Sequence, residues 1–322
     1  MWIIFAQQPW EFHMNVQTTN DDVGKTIHRM TEILGRKIFM IRYQFSLIWN
    51  LSADKRAYVL GAKSLRNMCD TVVSKRMKEY EKMQQNNISE DHVIEDGFRT
   101  KSKVMLDLLI KHSDLTEKDL KDEVSTVIFG GTDTTSNATV YTLLMLGLYP
   151  DVQQRVYEEV MDVIGPENSV ETEHLLKLEY TERVIKESMR LFPVVSIVSR
   201  YVAEDVEIGD YVAPAGITIG FPIIHIHRSA NYWKDPMKFD PDRFLPENIA
   251  KRHPLSYMPF SSGIRSCIGW KYAMMNMLTL TARIIREFTV FTAYKSLEEI
   301  EVQLEIFTKI KNGPKIWFET RS

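Results

Sequence analysis

The sequence predicts a mainly α-helical protein with small β-sheets. A proline-free run at about 116–149 is long enough for a helix of roughly 50 Å at 1.5 Å per residue. Two shorter helical runs follow, at 151–164 and at about 180–191, and each ends just before a proline. Short β-like stretches come next, at 202–213 and 217–226. Helical residues therefore outnumber strand residues over the chain.

Composition limits the class of protein. The chain has 322 residues, of which 44% are hydrophobic, so it can bury a sizeable core in one large domain or two ordinary ones. Its formal net charge of −3 lacks the basic excess that nucleic-acid binding requires. It has only two cysteines, Cys69 and Cys267, which argues against a secreted disulfide framework and favours a reducing compartment.

One segment near the amino terminus is unusually apolar and aromatic. Residues 38–49 read Ile-Phe-Met-Ile-Arg-Tyr-Gln-Phe-Ser-Leu-Ile-Trp. Burial in a core is the more ordinary fate of such a stretch, and contact with a membrane surface is the alternative. The longest apolar runs of the chain are far shorter than the roughly 20 residues that cross a bilayer.

The most informative segment is 260–269, which reads Phe-Ser-Ser-Gly-Ile-Arg-Ser-Cys-Ile-Gly. Cysteine binds a metal as the thiolate, which positive charge and helix N-termini stabilise. The run after Cys267 is proline-free with apolar residues at helical spacing, so it would place the cysteine at the N-terminus of a helix. Gly263 and Gly269 allow the backbone to approach a flat ligand, and Arg265 could neutralise a carboxylate on it. The segment therefore suggests haem held by one cysteine thiolate.

A second group of residues lies in the middle of the long helix, where Gly130 and Gly131 precede Asp133 and Thr134. The Thr134 hydroxyl can bond the Gly130 carbonyl four residues earlier and so open a groove in the helix. Asp133 and Thr134 could then relay protons from solvent. The alternative is a crossing of helices at small residues, with Asp133 solvated.

Further candidates lie downstream. Glu187 and Arg190 share one helix face, a spacing that most often gives a solvated ion pair. Arg243 follows in a proline-rich meander. His225 and His227 could suggest zinc, but a strand-end pair with no third ligand is more often structural.

The pattern F-x-x-G-x-R-x-C-x-G at 260–269 resembles the haem-binding loop of the cytochrome P450 family. The groove in the long helix, the Glu187/Arg190 pair and Arg243 match further family motifs in the family's order. A weaker likeness continues in the part of the chain before these motifs, where the sequence resembles animal microsomal members of the family-4 clan. It implies a cytochrome P450 fold lacking its N-terminal portion, with 1–322 as a single partial domain, because the family's anchor and early helices have no counterpart here.

The resemblance also implies roles for individual residues. Cys267 would be the axial ligand of heme b, within a loop that also contains Phe260, Gly263 and Gly269. Arg265 and Arg200 would bind the haem propionates, and Asp133 and Thr134 would deliver protons. Glu187, Arg190 and Arg243 would form a buried scaffold cluster. The implied substrate pocket comprises Phe129, Gly130, Val195, Ile197 and Phe307.

By this resemblance the protein is a monooxygenase that inserts one atom of O2 into an apolar substrate, a fatty acid or a foreign compound. Electrons would come from NADPH-cytochrome P450 reductase, with cytochrome b5 as a further candidate donor, at the cytosolic face of the endoplasmic reticulum membrane. Two rivals stay open. One is a haem-thiolate isomerase or dehydratase acting on peroxides, and the other is a non-catalytic truncated remnant that cannot retain haem.

Overall fold

A computed structural model describes residues 23–85, 105–112, 114–304 and 306–321 of the chain. These residues are mainly helical with small sheets, which confirms the predicted fold class. They form two compact units, with the boundary between Asp133 and Thr134. The sequence interpretation of a single domain stays a prediction.

The first unit is entirely helical in its described residues. Its helices are α1 (Val23–Phe39), α2 (Ser46–Leu51), α3 (Ala53–Gln85), α4 (Met105–His112) and the first half of α5 (Glu117–Leu148), with a 3-10 turn at Ile41–Gln44. A small apolar core holds these helices together. It consists of Ile27, Leu65, Cys69, Val73, Leu106, Leu120, Val124 and Ile128.

Helix α5 begins with a capping box formed by Thr116 and Asp119. The Asp119 carboxylate accepts from both the Thr116 backbone N–H at 3.0 Å and the Thr116 hydroxyl at 2.6 Å. The Asp119 N–H donates back to the Thr116 hydroxyl oxygen at 3.3 Å. Donors that a helix start leaves unpaired are thereby satisfied, so the long helix has a defined first residue.

The second unit combines helices with short strands. After the remainder of α5 come α6 (Pro150–Val163), α7 (Thr172–Leu175), α8 (Glu179–Leu191), α9 (Ile223–His227), α10 (Pro246–Ile249) and α11 (Trp270–Glu287). Helices α6, α8 and α11 pack against one another around the larger core. Among its fully buried members are Leu144, Met145, Val156, Val184, Ile185, Ala282 and Ile285.

The strands pair only in antiparallel twos among the described residues. They are β1 (Ile197–Tyr201), β2 (Val206–Ile208), β3 (Tyr211–Ala213), β4 (Thr218–Pro222), β5 (Phe288–Thr292), β6 (Val302–Leu304), β7 (Thr308–Ile310) and β8 (Ile316–Thr320). The pairs are β1 with β4, β2 with β3, β5 with β8, and β6 with β7. Arg200 lies opposite Ile219 in the first of these pairs.

Gly147 lies where α5 meets strand β5, and there is no room for a side chain. A Cβ on Gly147 would lie 3.0 Å from the carbonyl carbon of Phe291 and 3.2 Å from the backbone nitrogen of Thr292. Backbone atoms of a paired strand cannot move aside as a flexible side chain could. We therefore expect Gly147→Ala to lower the free energy of unfolding of this unit by about 1–3 kcal/mol.

Urea unfolding followed by circular dichroism measures this effect. Gly131→Ala in the same helix is the matched control, because a Cβ there would meet no described heavy atom within 4 Å. Alanine is favoured over glycine within a helix by about 1 kcal/mol, so this control should be neutral or stabilising. Equal effects from the two substitutions would contradict the packing argument.

The β-like prediction for 217–226 is wrong at its carboxyl end. Strand β4 ends at Pro222, and the chain turns directly into the short helix α9, which contains both His225 and His227. The two histidines are therefore not a strand-end pair. His225 is exposed whereas His227 is buried, and no group of three or more potential metal ligands occurs in the described part of the chain.

Core burial is also the wrong interpretation for most of the apolar segment at 38–49. Six of the large apolar side chains between 38 and 51 are more than half exposed: Ile38, Phe39, Ile41, Phe45, Leu47 and Leu51. The segment forms the end of α1, the 3-10 turn and α2, and so places apolar side chains on a surface. None of the helices in the described ranges combines the length and the apolar character needed to cross a membrane.

Candidate functional site

Cys267 lies in an exposed loop that ends just before helix α11. Its backbone N–H donates to the carbonyl of Phe260 at 2.9 Å, so the loop closes on itself. The cysteine is free and exposed, and the side chains of Ile264 and Ile268 on either side are fully exposed. The loop therefore presents a thiol within a small apolar surface, which a flat apolar ligand would cover.

Backbone conformation explains why the loop needs small residues. Gly263 has φ +80° and Ser261 has φ +62°, in the left-handed region that favours glycine. The Ser266 N–H donates to the Gly263 carbonyl at 3.0 Å and closes a tight turn. A Cβ on Gly269, which precedes α11, would lie 3.9 Å from the sulfur of Cys267. Glycine at this position keeps one side of the sulfur open.

Two arginines belong to this loop surface. Arg200 on β1 donates through Nη2 to the Ser261 hydroxyl at 3.2 Å and through Nη1 to the Ser199 carbonyl at 2.9 Å. Arg265 is exposed at the end of the 3-10 turn Gly263–Arg265. Carboxylates pair well with guanidinium groups, so the loop offers two cationic partners to an acidic ligand.

Glu187 and Arg190 form a fully buried ion pair on helix α8. Arg190 donates through Nε and Nη2 to the two carboxylate oxygens of Glu187 at 2.7 and 2.8 Å. Its remaining donors bind the carbonyls of His227 at 2.9 Å, Pro236 at 2.7 Å and Lys238 at 3.2 Å. The pair is therefore an anchor for the meander, and the interpretation as a solvated surface pair is wrong.

Arg243 joins this pair from the 3-10 turn at Pro241–Phe244. Its Nε lies 3.4 Å from the Glu187 carboxylate, and its Nη2 donates to the Asp235 carbonyl at 2.8 Å. Burial raises the pKa of Glu187, while Arg190, the Asp240 N–H and Arg243 act in the opposite direction. The structure thus brings the three predicted cluster residues together as a scaffold.

His227 links this cluster to the approach of the cysteine loop. Its carbonyl accepts from Arg190, and its Nε2 accepts from the backbone N–H of Met258 at 2.8 Å. The Met258 carbonyl in turn accepts from the N–H of Ser261 at 3.1 Å. The imidazole also stacks on Tyr257 with ring centroids 5.2 Å apart. A neutral His227 therefore stabilises the segment that leads into the cysteine loop.

Acid is expected to destabilise the second unit through His227. Burial, together with the charge of Arg190, lowers the pKa of His227 from 6.5 to about 3. Because protonation then favours the unfolded chain, this contribution is complete above pH 6.5 and falls as the pH drops towards 3. The slope approaches about 1.4 kcal/mol of unfolding free energy per pH unit.

Urea unfolding across this pH range measures the slope. We expect His227→Gln to have a smaller slope than the unmodified chain, even if the variant is less stable at every pH. His225→Gln removes an imidazole from the exposed side of the same short helix and serves as the control. Identical slopes for the two variants would contradict the assignment to His227.

The residues around the predicted groove in α5 differ in environment. Asp133 is buried, so the interpretation as a solvated carboxylate is wrong. Its Oδ2 accepts from the Thr31 hydroxyl of α1 at 2.9 Å. At Gly130 and Gly131 an added Cβ would meet no described heavy atom within 4 Å, so both glycines face open space. The hydrogen bond from Thr134 to the Gly130 carbonyl stays a prediction.

The five predicted substrate-pocket residues are divided between the two units. In the first, Phe129 packs against the apolar core and Gly130 is exposed. In the second, Val195 is half-buried, Ile197 is exposed and Phe307 is buried. Their assembly into one pocket stays a prediction.

The chain matches the family model of cytochrome P450 over residues 10–316, which is nearly its whole length. The chain belongs to the cytochrome P450 family. Cytochrome P450 4V2 of Rattus norvegicus is 35% identical over 316 residues, which cover 96% of this chain and 59% of the relative. Cytochrome P450 4c3 of Drosophila melanogaster is 33% identical over 302 residues, covering 91% of this chain and 56% of the relative.

A solved structure shares the fold of this P450. The crystal structure of the cytochrome P450DA heme domain aligns with a TM-score of 0.72 at 20% identity, covering 92% of this chain and 59% of that one. The chain thus spans somewhat less than three fifths of the length of the curated relatives named here.

The loop of this P450 fits a haem better than a bare metal ion. The described residues include no cluster of three or more side chains able to hold a metal, and Cys267 presents a single sulfur ligand. A metal that is already chelated by a porphyrin needs only such an axial ligand. The exposed Ile264 and Ile268 match an apolar ring, and Arg200 and Arg265 match its acidic groups.

Sequence reasoning missed three contributors to these surroundings. The role of His227 as a bridge was not predicted, although its place in the His-Ile-His run drew attention to it. His28 and Thr31, which approach Asp133 from α1, carried no local signal because they lie about a hundred residues away in sequence. Only the folded chain brings them together.

Arg252 lies beside Lys251 in the proline-rich meander. Its guanidinium lies 3.9 Å from the ring centre of Trp233, and it donates to the Arg243 carbonyl at 3.2 Å. Burial lowers its pKa. Arg252 therefore packs within the meander.

Proposed function

We propose that the protein acts as a haem-thiolate monooxygenase, with Cys267 as the axial ligand of heme b. The observation that carries this proposal is the exposed Cys267 thiol in a loop that also contains the exposed Ile264, Arg265 and Ile268 and that Arg200 contacts at Ser261, in a chain of the cytochrome P450 family. When bound, the haem would supply reductive activation of O2 and transfer of one oxygen atom into a C–H bond.

The residues of the loop have separate tasks in this proposal. Cys267 would hold the haem iron through its thiolate, which would supply electron density to the metal. Arg200 and Arg265 bind the two propionates, and the hydrogen bond from Arg200 to Ser261 holds its guanidinium at the loop. Glycine at positions 263 and 269 would allow the backbone of the loop to lie close to the haem. The buried cluster of Glu187, Arg190 and Arg243 holds the meander that leads into this loop.

Asp133 and Thr134 would supply protons at the site where O2 is reduced. A buried carboxylate that accepts a hydrogen bond from Thr31 is held in one orientation, which suits a group that must accept and release a proton repeatedly. This pair favours a monooxygenase over an isomerase or dehydratase that rearranges peroxides, because peroxide rearrangement takes no protons from solvent.

The substrate is an apolar small molecule, a fatty acid or a foreign compound, and the electrons come from NADPH-cytochrome P450 reductase, with cytochrome b5 as a second donor. Lys251 and Lys271 are exposed cations beside the cysteine loop that an acidic flavoprotein could meet. Arg252 does not contribute, since it packs on Trp233.

We also propose contact with the cytosolic face of the endoplasmic reticulum membrane. The apolar surface formed by Ile38, Phe39, Ile41, Phe45, Leu47 and Leu51 supports this part of the proposal. Lys37 and Arg42 lie among these residues, as expected where apolar side chains enter the lipid and cations meet the headgroups.

A haem titration tests the proposed function. The chain is expressed with ample porphyrin, purified, reduced and exposed to carbon monoxide. A stoichiometric Soret band with thiolate-type absorbance, followed by NADPH-dependent consumption of O2 with added reductase, is the expected result. Absence of any haem would favour the non-catalytic remnant. Turnover of a hydroperoxide without NADPH would favour the peroxide-rearranging enzyme.

A further inference from the structure

Helix α1 brings a titratable pair to the buried carboxylate of Asp133. Nδ1 of His28 lies 3.6 Å from Oδ2 of Asp133, and Nε2 of the same ring lies 3.5 Å from Oε1 of Glu32. His28 and Glu32 are four residues apart and therefore share one face of α1. The imidazole thus stands between two carboxylates, with one ring nitrogen facing each.

Exposure falls along this series from the surface inward. The side chain of His28 is 48% exposed and that of Glu32 is 36% exposed, whereas that of Asp133 is only 10% exposed. Protons from water therefore reach His28 and Glu32 directly but reach Asp133 poorly. An imidazole can accept a proton at one nitrogen and release one from the other, so it can connect the two environments.

Thr31 completes the arrangement. Its hydroxyl oxygen lies 2.9 Å from Oδ2 of Asp133 and 2.7 Å from the carbonyl oxygen of His28, and the residue is buried. When Asp133 is ionised, the hydroxyl donates to the carboxylate. When Asp133 is protonated, its O–H can donate to the hydroxyl oxygen, which then donates to the carbonyl. Thr31 can therefore satisfy both protonation states of Asp133.

We propose that His28 and Glu32 form the solvent end of a proton relay to Asp133, with Thr31 as the residue that positions its carboxylate. In one cycle, His28 begins with its proton on Nδ1, takes a second proton at Nε2 from water or from Glu32, and releases the Nδ1 proton to Oδ2 of Asp133. Exchange of protons between the exposed imidazole and water then restores the Nδ1–H tautomer. No electrons move, and the proton is replaced from solvent. The relay rests on the proposed function, since its purpose is to reload Asp133.

Two carboxylates face the imidazole of His28, Asp133 from α5 and Glu32 from α1 itself. Helix α3 packs on α1 through Gly61, which lies against Met30 and Thr26. The bidentate ion pair of Arg36 with Asp54, at 2.9 and 3.1 Å, lies two turns further along α1.

The contact is tested without haem by a double-mutant cycle in urea unfolding, using His28→Gln, Asp133→Asn and the double variant. If the imidazole and the carboxylate interact, the two effects are non-additive by about two- to fivefold in the unfolding equilibrium constant. Arg29→Gln, which changes the next exposed residue of the same helix, should combine additively with Asp133→Asn. Additive behaviour of His28→Gln would overturn the relay.

The proton transfer from His28 to Asp133 is tested on the haem-loaded protein. The measurement is how the electrons of NADPH divide between product and hydrogen peroxide. We expect His28→Gln to lower the product fraction about tenfold or more and to alter its pH dependence. Thr31→Val should lower the fraction but keep that pH dependence, and Arg29→Gln should change neither. A purely structural His28 would not alter the pH profile.

The two levels of inference fail differently. A chain without thiolate-type absorbance overturns the proposed function, and the relay falls with it. A chain that has this absorbance and turns over, but in which His28→Gln leaves both the product fraction and its pH profile unchanged, overturns the relay alone.

Discussion

Cys267→Ala is expected to abolish the thiolate-type absorbance of the reduced, carbon monoxide-treated protein. Cys267 provides the sulfur ligand in the proposed site, and an alanine methyl group cannot bind iron. The same substitution should change the free energy of unfolding of the haem-free chain by less than about 0.5 kcal/mol, because the side chain is exposed. Absorbance spectra and urea unfolding of the two proteins measure both quantities.

Cys69→Ala is the matched control, because it removes the other cysteine of the chain. Cys69 is fully buried in the core of the first unit, and burial raises the pKa of its thiol. Its removal should leave a small cavity that costs about 1 kcal/mol, while the absorbance stays unchanged. Thiolate-type absorbance that persists in Cys267→Ala, or that disappears in Cys69→Ala, would contradict the assignment of the ligand.

Arg190→Met is expected to lower the free energy of unfolding of the second unit by about 3–5 kcal/mol. The substitution leaves the buried Glu187 carboxylate without its bidentate partner. It also leaves the carbonyls of His227 and Pro236 without the guanidinium that they share. Methionine has a similar reach, so most of the effect comes from lost pairing. Denaturant unfolding followed by circular dichroism measures it.

Arg155→Met is the control for Arg190→Met, because it makes the same substitution at the surface of the unit. The Arg155 side chain is 54% exposed and lies 4.0 Å from the Asp242 carboxylate, so its removal should cost less than about 1 kcal/mol. Arg190→Lys should recover only part of the loss, because an ammonium group cannot reproduce the planar fork of bonds. Similar losses for Arg190→Met and Arg155→Met would show that the cluster is not a scaffold.

Much of the helical framework could be predicted from the sequence. The runs predicted at 151–164 and about 180–191 are helices at Pro150–Val163 and Glu179–Leu191. The ends of these helices could be predicted because they depend on nearby residues: prolines, glycines and capping residues act within a few positions of the helix end. The capping box of Thr116 with Asp119 is local in the same sense.

Predictions about exposure were less successful than predictions about helices. Burial in a core was taken as the more ordinary outcome for the apolar stretch at 38–49, but the stretch lies mostly at the surface. For Asp133 a solvated carboxylate was the alternative to a proton relay, and the burial of Asp133 excludes that alternative. Local spacing identifies a helix, but which of its faces is covered depends on segments far away in the chain.

By itself, the sequence determined the family, the mainly helical fold and the loop that presents Cys267, because each depends on residue types at short, fixed spacings. Only the tertiary structure decided that Thr31 contacts Asp133 across 102 residues of chain and that His28 lies beside the same carboxylate. Likewise, only folding brought Arg243 to Glu187. Such contacts follow from how helices and loops pack, and packing is a property of the whole chain rather than of any local pattern.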